Sequence, residues 1–231
     1  MRFKAVIFDV DDTLYPEREF VGGGFRAVAD YLTTVYSGKS VEEIQQFMLA
    51  NMDANGRGHV FDDTLRWLQL DVPQYLSTLL FIYRTHIPGA IKMDADMRDL
   101  IVRLRENDVK LGIITDGIYV TQKNKTDVLL RDMPFDCVIH TDTLGTWGWK
   151  PSTEPFRVAT NLLRVNPEDG VYIGDNPVKD FAGARNLGMK TIWWNPGKLQ
   201  HSFSEEVYMP DFEAFDHASL YHFLSEAGVV E

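Results

Sequence analysis

Residues 5–13 read AVIFDVDDT, an apolar run that leads directly into Asp9, Asp11 and Asp12. The run is short and apolar, as in a buried strand of a parallel sheet, and such strands present functional groups at their C-terminal ends. Carboxylates so close together resist ionising at the same time, so a cation or a hydrogen-bonded turn must compensate them. Asp12 is interpreted as a turn residue, since Asp tolerates turn conformations.

Strand-like runs recur along the rest of the chain. They lie at residues 109–117, 135–142, 170–176 and 190–195. Helical periodicity fills the segments between them, and two apolar helix faces are clear. These faces comprise Met97, Leu100, Ile101 and Leu104, and then Val178, Phe181 and Ala182. The alternation of strand and helix predicts an α/β fold, a doubly wound parallel sheet with a Rossmann-like core.

One long segment, residues 16–89, breaks this alternation because it shows helical periodicity without a convincing strand. One of its apolar faces comprises Val28, Tyr31, Leu32 and Val35. Ser40 and Glu43 form a capping-box signature that opens the next helix. The segment is therefore predicted to be an inserted all-helical domain.

The predicted domain organisation follows from this insert. Residues 1–15 and 90–231 form the catalytic core, and residues 16–89 form the helical cap inserted after the first strand. Because the insertion follows the C-terminal end of that strand, we expect the cap to cover this edge of the sheet.

Composition limits the possible partners. The formal net charge of −11 disfavours binding to a nucleic acid polymer or to an anionic membrane. The single cysteine, Cys137, excludes an internal disulfide framework and is interpreted as a packing residue. No apolar run approaches the roughly 18 residues of a membrane span, and the N-terminal run is too short for a signal peptide. We therefore expect a cytoplasmic protein, and its oligomeric state stays open.

Polar side chains of one chemical kind follow the strand-like runs. They are Asp9 with Asp11, then Thr115 with Asp116 and Gly117, then Asp175 with Asn176, while Lys150 follows the remaining run. Parallel strands end at the same edge of a sheet, so these side chains could share one cleft. Such a set suits phosphoryl chemistry.

Four of these stretches are similar, in order, to the four motifs of the haloacid dehalogenase-like hydrolase superfamily. They read DVDDT at 9–13, IITDG at 113–117, GWKPSTEPF at 148–156 and GDNPVKD at 174–180. The resemblance covers the core by motif and order. The helical insert resembles the cap of this family by position and pattern only.

The resemblance implies roles for the first and fourth motifs. Asp9 is the implied nucleophile, which forms a phospho-aspartyl intermediate, and Asp11 is the implied general acid and base. Dehalogenases of the superfamily lack an Asp at the position of Asp11, so its presence argues for phosphate transfer. The implied cofactor is Mg²⁺, held by Asp9, the main-chain carbonyl of Asp11 and Asp175, an all-oxygen set that suits a hard cation.

The other motifs are implied to bind the phosphate. Thr115 donates its hydroxyl, and the backbone amides of Asp116 and Gly117 add donors. Lys150 neutralises the phosphate and the nucleophile. Asp180 is implied to act behind this layer, where it orients Lys150 or a metal-bound water.

The expected function is a magnesium-dependent phosphatase acting on a small phosphate monoester, a nucleotide or a sugar phosphate. A 5'-nucleotidase-like activity is included in this expectation. Two alternatives stay open: a sugar phosphomutase of the same superfamily, and a non-catalytic binding or regulatory protein that retains the fold. Turnover that needs magnesium and is lost in Asp9→Asn would exclude the binding-only alternative.

The residues that select the substrate are less clear. Tyr15 and the stretches 21–25 and 55–61 are the candidates. Trp147 and Trp149 flank Lys150 and could line the entrance of a cleft, although core packing is the more frequent fate of tryptophan and is expected here.

Overall fold

The chain folds into two compact units. The computed structural model describes residues 3–89, 91–203 and 205–229. One unit comprises Met1–Pro16 with Lys92–Glu231, and the other comprises Glu17–Ile91. The second domain boundary was predicted between residues 89 and 90. Ala90 lies outside the described residues.

In the helical unit, Glu17–Ile91, the described residues form four helices and the loops between them, and no strand. They are α1 (Glu17–Val35), α2 (Val41–Asn55), α3 (Val60–Trp67) and α4 (Val72–Thr85). Val28 and Leu32 of α1 are fully buried in the apolar core of this unit, as predicted. Val35 is exposed, contrary to the predicted face, because it is the last residue of α1.

Two local predictions for the helical unit can be compared with the structure. The capping box is confirmed: the Glu43 amide donates to Ser40 Oγ (3.2 Å), and the Ser40 amide donates to Glu43 Oε2 (2.9 Å). The stretch 21–25, a candidate for substrate selection, lies within α1. A Cβ atom on Gly24 would overlap the ring of Tyr83, so this glycine permits close helix packing.

The sheet unit contains one six-stranded sheet. Its strands are β1 (Ala5–Phe8), β2 (Lys110–Thr115), β3 (Cys137–His140), β4 (Gly170–Gly174), β5 (Lys190–Trp194) and β6 (Phe212–Ala214). The strand order is β3-β2-β1-β4-β5-β6, and every pairing is parallel. The predicted doubly wound α/β fold is therefore confirmed. The sequence did not indicate β6, since three residues are too few to show a strand pattern.

Helices pack beside the sheet in the same unit. They are α5 (Ala95–Glu106), α6 (Tyr119–Leu129), α7 (Glu154–Leu163), α8 (Pro177–Arg185) and α9 (His217–Glu226). The predicted apolar face of α5 is buried in full. In α8, Phe181 and Ala182 are buried, as predicted, but Val178 is 54% exposed, contrary to the predicted face.

The tryptophans divide into two pairs. Trp193 and Trp194 of β5 are buried, as expected for a central strand. Trp147 is 86% exposed and Trp149 is also exposed, so the expected core packing of this pair is wrong. The residue that packs inward here is Gly148, whose missing Cβ leaves room for Leu144.

Two strands beside β1 determine where the functional groups meet. Phe8, at the end of β1, is in register with Ile113 of β2 on one side and with Ile173 of β4 on the other. The strand order reverses between β1 and β4, and ligands bind at such a switch point in open α/β sheets. Within the described residues, no helix is both long and apolar enough to cross a membrane.

Candidate active site

The candidate site begins where β1 ends. The backbone amide of Asp9 donates to the carbonyl of Ile173 (2.9 Å), which extends the pairing of β1 with β4 by one residue. The Asp9 side chain is nearly buried. Asp12 has φ of 53°, a left-handed conformation that agrees with its predicted role as a turn residue.

Lys150 contacts two other predicted residues of the site, Asp9 and Asp180. Its Nζ lies 2.9 Å from Asp9 Oδ1 and 2.7 Å from Asp180 Oδ1, and its side chain is only 2% exposed. Nζ also donates to the hydroxyl of Tyr172 (3.0 Å). Burial alone would lower the pKa of Lys150, but Asp180 and Asp9 outweigh it and hold this pKa well above its usual value. Lys150 is therefore a permanent cation beside Asp9.

Asp180 is fully buried, although it lies in the first turn of a helix. Its Oδ1 accepts from Lys150 and from the hydroxyl of Tyr172 (3.2 Å), and its Oδ2 accepts from the amide of Asn176 (2.8 Å). The carboxylate occupies the space that a Cβ atom on Gly174 would need. Asp180 is thus placed to orient Lys150.

Tyr172 was missed by the sequence reasoning. It lies on β4 and is completely buried. Burial and the charge of Asp180 raise its pKa well above the usual value, so the hydroxyl stays protonated and can donate to Asp180. The only signal available was a tyrosine in an otherwise apolar strand, which is too weak to assign a contact.

The buried carboxylates fit a divalent cation. One oxygen each of Asp9, Asp175 and Asp180 lies within 4.8 Å of the other two. Burial raises the pKa of Asp9 to about 7, and burial together with the charge of Asp9 raises the pKa of Asp175 to about 8. A hard cation bound to oxygen ligands would restore the ionised form of these groups. Both oxygens of Asp180 already accept hydrogen bonds, Oδ1 from Lys150 and Tyr172 and Oδ2 from the amide of Asn176.

The predicted phosphate-binding residues form a fixed loop at the end of β2. Thr115 is buried, and Asp116 Oδ1 accepts from the Thr141 hydroxyl (2.7 Å) and from the Lys150 amide (3.2 Å). Gly117 has φ of 134°, a conformation that favours glycine. The Asp116 side chain therefore holds the loop against Thr141 and Lys150.

Asp11 has a separate set of partners that the sequence reasoning did not predict. Lys125 Nζ lies 2.8 and 2.7 Å from its two carboxylate oxygens. The Tyr15 hydroxyl donates to Oδ1 (2.7 Å), and Gln122 Nε2 donates to Oδ2 (2.9 Å). Tyr15 had been considered only as a residue for substrate selection.

A signal for these partners was present in helix α6. Its buried face comprises Gln122, Lys125, Thr126 and Leu129, at the spacing of one helix face. A lysine on an inward face is unusual, because burying an ammonium group needs a charged partner. The periodicity could therefore have indicated Lys125.

Two further residues, Cys137 and His140, lie outside the site, and the sequence analysis expected this of Cys137. Cys137 packs against the apolar core, and burial together with Asp136 raises its thiol pKa to about 11. His140 Nε2 lies 3.0 Å from Thr126 Oγ1, and burial lowers its pKa. Neither residue contacts the carboxylates described above.

Known proteins similar to this chain share more than the motifs. The sequence model of the haloacid dehalogenase-like hydrolases matches residues 6–194. A glyceraldehyde 3-phosphate phosphatase from Methanopyrus kandleri is 32% identical over 217 residues, which are 91% of this chain and 92% of the relative. A pyrophosphatase, PpaX, from Bacillus cereus is 26% identical over 92% of each chain.

A solved structure is also similar to this chain over most of its length. A HAD phosphatase from Thermococcus onnurineus has 26% sequence identity and a TM-score of 0.62, over 96% of this chain and 97% of the other. The similarity extends over almost the whole of both chains, including the helical segment between the first and second motifs.

Proposed function

Because the chain belongs to the haloacid dehalogenase-like hydrolases and is a phosphatase of that family, we propose that it hydrolyses a small phosphate monoester through a phospho-aspartyl intermediate on Asp9. The observation that supports this most is the buried contact of Asp9 with Lys150, 2.9 Å apart at the C-terminal edge of the sheet. It supports the proposal because a carboxylate acting as nucleophile needs a cation nearby that can also attract the phosphate.

The proposed reaction has two displacements at phosphorus. In the first, an Asp9 oxygen attacks the phosphorus, the bond to the leaving oxygen breaks, and Asp11 gives that oxygen a proton. In the second, a water attacks the phosphorus and loses a proton to Asp11, and the bond to Asp9 breaks to release inorganic phosphate. At the end, Asp11 again carries a proton, and the electron pair of the broken bond to phosphorus is again on the Asp9 oxygen.

The phosphate oxygens need donors while these displacements occur. Thr115 supplies a hydroxyl, the loop at Asp116 and Gly117 supplies amides, and Lys150 supplies a charged donor. Donors that are already in place stabilise the transition state without reorganising. Asp180 and Tyr172 keep the Lys150 ammonium in its position, because Lys150 Nζ donates to Asp180 Oδ1 and to the Tyr172 hydroxyl.

The proposed cofactor is Mg²⁺, held by Asp9, the main-chain carbonyl of Asp11 and Asp175. When bound, this ion would screen the negative charge of Asp9 from that of the phosphate. The buried carboxylates and their raised pKa values support a cation at this place.

The proposed substrate class is a small phosphorylated metabolite, with sugar phosphates first and nucleoside monophosphates second. The order follows from the similarity to a phosphatase named for a three-carbon sugar phosphate. The pyrophosphatase among the relatives makes inorganic pyrophosphate a necessary third member of the test panel. The net charge of −11 supports a small ligand rather than a nucleic acid polymer.

The experiment is phosphate release from this panel, with Mg²⁺ and with a chelator. We expect turnover of at least one sugar phosphate that the chelator abolishes. Asp9→Asn should reduce kcat by at least about 1,000-fold, because an amide cannot accept the phosphoryl group. Asp127→Asn, an equivalent change at an exposed helix position, is the matched control and should keep full activity.

Three outcomes would contradict the proposal. Full activity in Asp9→Asn would refute the nucleophile. Transfer of the phosphoryl group to a second sugar hydroxyl, without net phosphate release, would favour the mutase. Tight binding of a panel member without turnover would favour a binding protein. Mass spectrometry of the acid-quenched reaction checks the intermediate directly, as one added phosphoryl group on the peptide that contains Asp9.

A further inference from the structure

The Asp11 carboxylate is surrounded by donors from two parts of the sheet unit. Lys125 of α6 contacts both of its oxygens, at 2.8 and 2.7 Å. Tyr15, four residues further along the chain, donates to Oδ1, and Gln122 of α6 donates to Oδ2. The side chain of Lys125 is 3% exposed, so this ion pair is buried on the lysine side.

These donors use every acceptor position of the ionised carboxylate, so a proton on Asp11 takes the place of one of them. Each carboxylate oxygen has two lone pairs. Oδ1 receives Lys125 and Tyr15, and Oδ2 receives Lys125 and Gln122. The carboxylate is therefore fixed in rotation as well as in position, in contrast to an exposed Asp with a single partner.

The lysine is not needed for packing alone. An apolar side chain on the inward face of α6 would fill the same space without the cost of taking an ammonium group out of water. Asp11 supplies the opposite charge that a buried ammonium group needs. Lys125 thus has a specific relation to Asp11, as Lys150 has to Asp9.

We propose that Lys125 is a positioning residue that holds the Asp11 carboxylate where it can transfer a proton to and from the leaving oxygen. This inference rests on the proposed function, in which Asp11 is the general acid and base. Lys125 does not contact the phosphate in this assignment, and it acts through Asp11 alone.

Gln122 connects this arrangement with the phosphate-binding loop. Its Nε2 lies 3.0 Å from Thr115 Oγ1 and also donates to the carbonyl of Asp116. Gln122 and Lys125 are three residues apart on one face of α6. The helix therefore sets the position of the proton-transfer group relative to the phosphate-binding group.

The rate loss with different leaving groups shows whether Lys125 positions Asp11 or only supports the fold. A sugar alkoxide is strongly basic and needs a proton as it leaves, whereas 4-nitrophenolate leaves without one. Loss of Lys125 should therefore slow the hydrolysis of a sugar phosphate much more than that of 4-nitrophenyl phosphate. Damage to the fold or to the Asp9 site would slow both substrates equally.

The test variant is Lys125→Met, which keeps the length of the side chain and removes its charge. We expect kcat for the best sugar phosphate to fall on the order of 10- to 100-fold, part of a general acid–base contribution, with KM changed by less than about threefold. The kcat for 4-nitrophenyl phosphate should fall by less than about fivefold. Lys125→Arg, which retains the charge, should recover part of the loss.

The same helix offers a matched control. Lys123 is exposed and pairs with Asp127 along the helix surface. Lys123→Met removes the same charge from α6, two residues away, and should leave both substrates unaffected. Thermal unfolding of both variants checks that each is folded. If Lys125→Met does not fold, Tyr15→Phe carries the test, because it removes the second donor to Oδ1 and should give the same pattern more weakly.

The outcomes separate this inference from the function on which it rests. Equal losses for both substrates, or no loss, would overturn the positioning role while the wild-type turnover and its dependence on Asp9 stand. Absence of turnover in the wild-type protein, or full activity in Asp9→Asn, would overturn the proposed function and this inference with it.

Discussion

The helical unit and the sheet unit differ in the ion pairs that they bury. In the helical unit, Arg18 pairs with Asp53 while both side chains are more than half exposed, and Lys39, just before α2, pairs with the exposed Glu43 in its first turn. In the sheet unit, Lys150 and Lys125 are 2% and 3% exposed and pair with carboxylates of the candidate site. The first unit is held together by its apolar core, whereas the second also buries charge.

Exposed and buried ion pairs contribute differently to the stability of a protein. An exposed ion pair contributes little to stability, because water screens it and two long side chains must be ordered. A buried ion pair costs desolvation, and apolar residues of similar size often give an equally stable protein. Buried pairs at a strand edge are therefore better explained by chemistry than by stability. Four experiments test this contrast.

The largest effect is expected for Lys150→Met. Turnover should fall by about 1,000-fold or more, since a prepositioned charge at the phosphate is lost. The free energy of unfolding should fall by about 3–5 kcal/mol at neutral pH, because Asp9 and Asp180 then lack their buried cation. Steady-state kinetics and urea unfolding measure the two effects.

A double variant sharpens this prediction. Lys150→Met with Asp180→Asn removes a charge of each sign, so part of the lost stability should return while turnover stays low. If Lys150→Met alone kept turnover within tenfold of the wild type, the contrast between buried and exposed pairs would lose its functional meaning.

The second prediction concerns the apolar core of the helical unit. Leu32→Ala should lower the free energy of unfolding by about 2–5 kcal/mol, because it leaves a cavity among fully buried side chains. Leu162→Ala, at an exposed position of α7, is the control and should change it by less than about 0.5 kcal/mol. Chemical unfolding checks both. Equal effects would contradict the assignment of this core as the main source of stability.

The third prediction concerns metal and pH. Without metal, the pKa of Asp9 is about 7 and that of Asp175 about 8, both above the ordinary carboxyl value of 3.8. Between pH 4 and 8 the folded protein therefore binds more protons than the unfolded chain, roughly up to one for each of these carboxyls. The stability contributed by these groups is thus present at low pH and is lost as pH rises through the folded pKa values.

Metal binding should show the opposite trend, because protons compete with the ion for the same oxygens. Mg²⁺ at about 100 times its dissociation constant should stabilise the protein by about 2.7 kcal/mol at about pH 8.5, and by clearly less at about pH 6. Calorimetry with and without Mg²⁺ measures the shift. Asp175→Asn should weaken it at both pH values, and a shift that did not vary with pH would count against metal at these carboxylates.

The smallest effect is expected at the surface of the helical unit. Arg18→Ala removes an exposed partner of Asp53 and should leave the free energy of unfolding unchanged within the error of a urea titration. Added salt should make no further difference. A clear loss of stability here would show that exposed pairs matter more in this chain than the contrast allows.

Local patterns in the sequence predicted much of the fold. The apolar runs predicted five of the six strands, and the buried face of α5 and the capping box at Ser40 are confirmed. Patterns with few residues were less informative: β6 is three residues long, and Val178 lies at the start of its helix. Trp147 is exposed because the neighbouring Gly148, rather than the tryptophan, faces the interior.

For the site, the motifs identified Asp9, Lys150 and Asp180 as a group, and the structure brings these three into contact. Their roles in catalysis stay predictions. Tyr172 and Lys125 were not identified. The inward face of α6 could have indicated Lys125, but its contact with Asp11 joins positions 114 residues apart, so local periodicity could not have named the partner.

The sequence by itself determined the alternation of strands and helices, the helical insert and the order of the four motifs, since these depend on residue types at short spacing. Only the tertiary structure decided that Asp11 receives a buried cation of its own, Lys125, beside the contact of Lys150 with Asp9 that the motifs had implied. The physical reason is that a buried charge selects its partner by distance in space, and the register of β1 between β2 and β4 sets that distance.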